Sequence, residues 1–247
     1  MSELEFRGEC GRNCSDKKQV RLIQEWLCLW GFTVTIDGSF GPATEQAVSL
    51  FQRKRGLTPT GTVDLASFQQ LIEPMTVVLT PLKPNGRTRS EMVVAHASRH
   101  LQSLPREVGR ENCGPWVRLY LDGHEGREWP WCAGFVSFVV RQACESMGEA
   151  VPFPVTYSCD TLAQEAQSAG RFIGESERSA GSKAIEPGYL FLVRARKNDW
   201  VHTGIVLSVG KDYFESIEGN TNEQGYREGY AVCRRVRNYA RKDFIAL

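Results

Sequence analysis

The first third of the chain contains three stretches in which apolar residues recur at helical spacing, separated by polar turns. These stretches cover residues 20–30, 42–51 and 65–72. The second opens with a proline, which fits the first turn of a helix, and the glycines of the preceding turn permit positive φ. The pattern predicts three short helices around one small core at residues 16–74, preceded by a polar lead-in at 1–15.

The pattern changes after this module. Prolines, a glycine and basic residues dominate 75–91, a composition typical of a linker. Helical spacing then resumes, and later segments rich in β-branched residues predict strands at 187–193, 200–209 and 213–222. We therefore expect an α+β protein: the three-helix module, then a domain at 92–247 whose helices pack on an antiparallel sheet.

Composition and charge exclude few classes of protein. The chain is 41% hydrophobic and 24% charged, with a formal net charge of +1, so a core can form and no global charge favours nucleic acid. No run approaches the ~18 apolar residues of a membrane span. We expect a monomer with no nucleic-acid partner and no stable membrane insertion. A solvated face is the favoured interpretation of the basic residues near the C-terminus, which are Arg234, Arg235, Arg237, Arg241 and Lys242.

Eight cysteines are many for a cytosolic chain of 247 residues. Cys10, Cys14 and Cys28 could form one disulfide or supply three zinc ligands, but no histidine precedes His96 to complete a zinc site. The acidic loop at 122–128 could bind calcium, although its spacing does not fit an EF-hand. Unpaired structural thiols and a plain surface loop are favoured, so we expect no metal and no cofactor.

The module at 16–74 carries a dense set of turn and core motifs. They are Asp37-Gly38-x-Phe40-Gly41-Pro42-x-Thr44, Phe51-Gln52 and Gly61-x-Val63-Asp64. With these motifs the module resembles the peptidoglycan-binding domain of bacterial and phage wall enzymes. The resemblance implies a non-catalytic wall anchor with bacterial peptidoglycan as its partner. Asp37, Phe40 and Thr44 border the turn and are candidate substrate contacts, with core or turn roles as the alternative.

A cysteine at a predicted helix start is the first candidate for chemistry. Pro130 suits a helix start and an apolar run follows it, which places Cys132 in the first turn. The partial positive charge at a helix N-terminus favours the thiolate, the nucleophilic form of cysteine. A buried structural cysteine is the alternative.

A histidine and a carboxylate on the next predicted strands complete the pattern. His202 is the one histidine in a strand-like context, and a strand holds the ring rigidly, as a general base requires. Glu218 and Asn220 lie two apart and project from one face of the following strand. A hairpin would bring Glu218 beside His202, where it could stabilise the imidazolium. We expect His96 and His100, on an earlier helix, to be partly exposed.

Together these residues resemble the CHAP domain, the cysteine, histidine-dependent amidohydrolase/peptidase of the papain-like NlpC-type hydrolases, over residues 92–247. The motifs are Trp131-Cys132-Ala133-x-Phe135-Val136-Ser137, Pro187-Gly188-Tyr189-Leu190, His202-Thr203-Gly204-Ile205-Val206 and Glu218-Gly219-Asn220-Thr221. The resemblance implies four catalytic roles. Cys132 is the nucleophile, and His202 is the general base and acid. Glu218 orients the His202 ring, and Asn220 is a supporting polar residue.

Two further residues are expected near the substrate by this resemblance. Trp131 stands where some members carry a glutamine, which leaves the backbone N–H of Cys132 as the expected oxyanion donor. Asn112 lies in a segment similar to the family's helix entry and is expected to line the cleft.

The two resemblances lead to the expectation of a peptidoglycan hydrolase that cleaves an amide bond. The bond is either the N-acetylmuramoyl-L-alanine link or a peptide bond in the stem or cross-bridge. The N-terminus lacks a basic region followed by an apolar one, so we expect synthesis in the cytoplasm without a signal peptide and action on the wall after release or delivery. A phage-type endolysin is favoured. A delivered antibacterial toxin and a non-catalytic wall-binding protein are the alternatives.

Overall fold

The computed structural model describes residues 2–222 and 229–247. Its α-helices are α1 (Lys17–Leu29), α2 (Pro42–Lys54), α3 (Leu65–Leu71), α4 (Glu73–Leu79), α5 (Arg89–Gln102), α6 (Pro115–Tyr120), α7 (Cys132–Met147), α8 (Cys159–Ser168) and α9 (Glu175–Ser179). Its strands are β1 (Phe172–Ile173), β2 (Leu190–Arg196), β3 (Asp199–Val209), β4 (Tyr213–Thr221), β5 (Ala231–Asn238) and β6 (Lys242–Ile245). In this part of the chain no helix has the length and apolar character needed to cross a membrane.

The three-helix module forms as the sequence predicts. The Asp16 carboxylate caps α1 by accepting from the N–H groups of Lys18 and Gln19, and Asp64 caps α3 by accepting from that of Ser67. Helix α2 begins at Pro42, where the missing N–H costs no intrahelical bond. Each helix therefore starts at a residue that suits a helix N-terminus.

The segment predicted as a linker, 75–91, begins inside a helix. Helix α4 buries Met75 and Val78 completely, and α5 begins at Arg89 behind a capping box. Pro74 falls in the first turn of α4, where proline is tolerated, so it opens a helix rather than interrupting one. Residues 75–79 of the predicted linker are therefore helical, and the division into domains stays a prediction.

The C-terminal part combines helices with one antiparallel sheet, as expected. The six strands lie in the order β1-β6-β2-β3-β4-β5, and every neighbouring pair is antiparallel. Helices α5, α7 and α8 pack against β3. Strands β3 and β4 form a hairpin, in which Ile205 lies opposite Ile217. This hairpin brings the Glu218 position beside Gly204, two residues along β3 from His202 and on the same face of the sheet. A papain-like topology stays a prediction.

The lead-in and the module pack directly on the rest of the chain. Trp26 of α1 meets Trp116 of α6 edge to face, with ring centroids 5.9 Å apart. Arg118 donates to both Glu3 and Glu25, at 2.8 and 2.6 Å for the shortest contacts. Aromatic packing and buried ion pairs therefore join the two parts, in addition to the connecting chain.

Candidate active site

Cys132 is the first residue of α7 and is almost completely buried, with 6% of its surface exposed. The N–H groups in the first turn of a helix have no acceptor within the helix. The Trp131 side chain, at the N-cap position of α7, does not accept from them either. Gly134 lets α7 approach α6 closely, because a Cβ atom there would lie 2.6 Å from the carbonyl oxygen of Tyr120. The predicted helix start therefore exists, and the thiol lies where the helix favours negative charge.

His202 lies on β3 and is held on one side by Glu218. Its Nε2 atom is 2.8 Å from Glu218 Oε2, and both side chains are buried. The other ring nitrogen, Nδ1, is buried without a hydrogen-bond partner among the described residues. Because the Cys132 thiol interacts with the His202 ring, Nδ1 is the nitrogen available to it. The structure thus brings Cys132, His202 and Glu218 together.

Glu218 has a second cationic partner that the sequence did not reveal. Arg237 of β5 donates Nε to Oε1 at 2.8 Å and Nη2 to Oε2 at 2.6 Å, and the Ser216 hydroxyl donates to Oε1 at 2.5 Å. The solvated face expected for Arg237 is therefore wrong, because a fully buried carboxylate requires charged and hydrogen-bonding partners. The signal available in the sequence was the cluster of arginines that follows Glu218 along the chain, of which Arg237 is one.

The charges of this group support a thiolate–imidazolium pair. Contacts with the Cys159 thiol and with His202 lower the pKa of Cys132 well below its ordinary value, although burial opposes this. Burial alone would lower the pKa of His202, but its interactions with the Cys132 thiol and the Glu218 carboxylate outweigh burial and raise the pKa to about 9. Burial would also raise the pKa of Glu218, yet Arg237 and His202 hold it at about 2. Glu218 is therefore a permanent anion behind the imidazole.

A second thiol lies at the nucleophile. The Sγ atoms of Cys132 and Cys159 are 3.8 Å apart, and Cys159 is the first residue of α8. None of the eight cysteines, all of which fall in the described residues, forms a disulfide. This proximity is not predictable from the spacing along the chain, because the two cysteines are 27 positions apart and lie on different helices.

Asn220, Asn112 and Trp131 support the site from inside the protein. The amides of Asn220 and Asn112 form a hydrogen bond of 2.7 Å, which ties β4 to the loop before α6. The Trp131 ring is fully buried, stacks on Tyr120 with centroids 5.5 Å apart, and donates Nε1–H to Glu107 at 2.8 Å. The expected contact of the Trp131 ring with substrate is therefore wrong, because the ring is buried in the core beneath the helix start.

The predicted ligand contacts of the module separate into two kinds. Phe40 and Thr44 are buried, and Thr44 Oγ1 accepts from the Gln24 amide at 3.2 Å, so both are placed as scaffold residues. The Asp37 carboxylate is exposed and accepts from Gln24 Nε2 at 2.9 Å and from the N–H of Ser39 at 2.8 Å. Only Asp37 of these three candidates presents a side chain to solvent, and it lines a cleft of about 640 Å³.

The remaining histidines are structural in their placement. His96 and His100 are both buried, which corrects the expectation of partial exposure. His100 contacts the Tyr120 hydroxyl at 2.9 Å and the Gln142 side-chain oxygen at 2.8 Å, and burial lowers its pKa to about 4. His124 of the acidic loop stacks on Trp129, with centroids 4.2 Å apart. Within residues 2–222 and 229–247, no three His, Cys, Asp or Glu side chains are grouped so that they could hold a metal ion.

Comparison with protein families identifies the helical module. Residues 16–71 match the family model of the peptidoglycan binding domain. The peptidoglycan-binding domain thus covers α1 to α3, with its turn at 37–44, and it supports association with the cell wall and peptidoglycan as a partner. No curated protein and no solved structure matches the chain. The resemblance of 92–247 to the CHAP domain stays a prediction.

Proposed function

We propose that this protein is a peptidoglycan hydrolase that cleaves an amide bond through the Cys132 thiolate. The observation that carries the proposal is the arrangement of three side chains: Cys132 at the start of α7, the unpartnered Nδ1 of His202, and Glu218 on Nε2 of the same ring. A thiol, a base and a group that orients the base are what nucleophilic amide hydrolysis requires. The peptidoglycan-binding domain supports the choice of substrate.

The proposed reaction follows from the charges of the site. The Cys132 thiolate attacks the carbonyl carbon of the amide, and the developing oxyanion lies near the backbone N–H of Cys132 at the helix start. The His202 imidazolium protonates the leaving amine, which releases the first product and leaves a thioester on Cys132. Neutral His202 then takes a proton from water, whose oxygen attacks the thioester carbon. The C–S bond breaks, the carboxylic acid product is released, and the thiolate–imidazolium pair is regenerated. Glu218 stays ionised and stabilises each imidazolium form.

The wall-binding domain would act by raising the local concentration of substrate. Because Trp26 and Trp116 are in contact across the two parts, and Arg118 pairs with Glu25, the domain is docked on the catalytic part. A polymer bound by this domain would be held at a limited range of distances from Cys132. The proposed bond is the N-acetylmuramoyl-L-alanine amide or a peptide bond of the stem or cross-bridge.

Digestion of purified peptidoglycan tests the proposal directly. Wild-type protein, Cys132→Ala and the control Cys144→Ala, which alters another buried cysteine of α7, are incubated with walls of several types, and soluble products are analysed by mass spectrometry. We expect fragments from the wild type and the control but not from Cys132→Ala. New amino-terminal L-alanine would identify an amidase, and another residue an endopeptidase.

The opposite result is also informative. If no variant releases fragments while all three still sediment with the wall, the protein is a wall-binding protein without hydrolase activity. Rapid alkylation of Cys132 by iodoacetamide near neutral pH would argue against that alternative, since an inert buried thiol reacts slowly.

For the biological setting, we propose an endolysin-type role in which the protein reaches the wall after release from the cytoplasm. A delivered antibacterial toxin would use the same chemistry. A neighbouring gene for a small membrane protein would favour the endolysin, and one for an immunity protein would favour the toxin.

A further inference from the structure

The contact between Cys132 and Cys159 is a feature that the proposed hydrolysis does not require. Amide hydrolysis needs one thiol, yet the two Sγ atoms are 3.8 Å apart in a buried site. A disulfide bond has an S–S distance of about 2.05 Å, so closure would shorten the gap by about 1.8 Å. Closure therefore requires rotation of the two side chains, shifts of the two helix starts, or both.

Both thiols lie on helix starts that neighbouring residues hold in place. The Ser137 hydroxyl of α7 donates to the carbonyl oxygen of Thr156, in the segment that leads into α8, at 2.9 Å. Asp160, the residue after Cys159, accepts from the N–H of Trp200 on β3 at 2.7 Å. These bonds fix α8 against α7 and against the strand of His202. The approach of the two sulfurs is therefore built into the packing.

We propose that Cys132 and Cys159 form a redox pair, in which a peroxide converts the catalytic thiol into a reversible intramolecular disulfide. In the first step the Cys132 thiolate attacks one oxygen of hydrogen peroxide. The S–O bond forms, the O–O bond breaks and hydroxide leaves, so that sulfur is oxidised to a sulfenic acid. In the second step the Cys159 sulfur attacks the Cys132 sulfur, the S–S bond forms and the S–O bond breaks. The Cys159 proton ends in the departing water, and the sum is two thiols and one peroxide giving one disulfide and two waters.

The proposed oxidant is small enough for the limited exposure of these thiols. Cys132 and Cys159 have 6% and 8% of their surfaces exposed, and hydrogen peroxide is nearly the size of water. Cys132 reacts first because the thiolate is the oxidisable form and its helix start and His202 favour that form. Cys159 then acts as the resolving thiol and prevents further oxidation of Cys132 to the irreversible sulfinic acid. The loss of hydrolysis in the oxidised form rests on the proposed function, whereas the disulfide itself does not.

The test separates the disulfide from the enzymatic activity. Full-length wild type, Cys159→Ser and the control Cys144→Ser are treated with hydrogen peroxide, with and without later dithiothreitol, and their folding is checked by circular dichroism. Non-reducing peptide mapping by mass spectrometry then reports the state of Cys132, and release of wall fragments reports activity. In wild type and Cys144→Ser we expect a cystine joining the Cys132 and Cys159 peptides, at least a tenfold loss of hydrolysis, and recovery after dithiothreitol. In Cys159→Ser we expect Cys132 sulfinic acid, which dithiothreitol does not reverse.

Two outcomes would overturn the redox proposal. One is sulfinic acid on Cys132 of the wild type, formed as readily as in Cys159→Ser and without the cystine. The other is a cystine that joins Cys132 to a different cysteine. A 132–159 cystine in a protein that hydrolyses no wall would leave the redox pair standing and overturn the hydrolase proposal instead.

Discussion

Replacing Glu218 by glutamine is the sharpest perturbation of the proposed site. The change keeps the shape of the side chain and removes its charge. In the structure Glu218 accepts hydrogen bonds from His202, Arg237 and Ser216, so a glutamine amide would have to direct its N–H₂ group at one of these donors. The variant therefore loses the anion that stabilises the His202 imidazolium and also gains an unfavourable donor–donor contact.

The size of the effect follows from the pKa of His202. Its rise from 6.5 to about 9 corresponds to about 3 kcal/mol of preference for the imidazolium, which Cys132 and Glu218 share. Loss of about half of this free energy would disfavour the thiolate–imidazolium pair about tenfold, and loss of all of it would do so about 200-fold. We therefore expect Glu218→Gln to lower kcat/KM for wall hydrolysis by about 10-fold to 200-fold. The Cys132 thiolate should also form at a higher pH.

Alkylation measures the ion pair independently of hydrolysis. The rate at which iodoacetamide modifies Cys132 is followed by peptide mass spectrometry from pH 5 to pH 10, for wild type and Glu218→Gln. The matched control is Glu215→Gln on the same strand, where the carboxylate pairs with the exposed Arg234. A folded Glu218→Gln protein whose alkylation profile coincides with that of the wild type would refute the role assigned to Glu218.

Three further predictions follow from the charged groups. Hydrolysis should fall as the pH rises through about 9, because His202 then loses the proton that the leaving amine needs; a kcat/KM profile measures this, and a flat profile between pH 8 and pH 10 would contradict it. Arg237→Met should lower the free energy of unfolding by ~3–5 kcal/mol in urea titrations because it leaves Glu218 buried without this cation, and Arg237→Lys should recover part of that loss and part of the activity. Arg118→Met should lower the free energy of unfolding by a similar ~3–5 kcal/mol in calorimetry, because it leaves Glu3 and Glu25 without this cation. Arg234→Met, which removes an exposed arginine paired with Glu215, is the neutral control. An unchanged transition of Arg118→Met would show that the ion pairs between the two parts carry no stability.

Local chemistry explains what the sequence predicted well. The proline at the start of α2 and the aspartates before α1 and α3 are signals that act within one turn, so these helix starts were predictable. The same holds for Cys132, whose position at the start of α7 follows from Pro130 and the apolar run behind it. The neighbourhood of His202 and Glu218 was predictable because a short turn between two strands allows few pairings.

Features that depend on contacts distant in sequence were missed. Arg237 reaches Glu218 from β5, where it lies opposite Phe214 and its long side chain runs along the sheet to the carboxylate, so strand pairing alone does not give this contact. Trp131 was expected at the substrate because of its position next to the nucleophile, but Tyr120 and Glu107 hold its ring in the core. Burial of a side chain at a helix start depends on which elements pack beneath it, and that information is not local.

The aromatic packing connects the wall-binding domain to the nucleophile. Trp26 of α1 contacts Trp116, and the ring centroids of Trp116 and Tyr120 are 6.3 Å apart. Tyr120 in turn stacks on Trp131, the residue before Cys132. Large buried rings stabilise a fold through the apolar area that they remove from water, so loss of the first ring would expose the second. The helix start that carries the thiol is therefore supported by a series of contacting aromatic rings, and the ring at the other end of the series, Trp26, belongs to the peptidoglycan-binding domain. That domain is part of the structure on which the candidate active site is built, as well as its proposed contact with the wall.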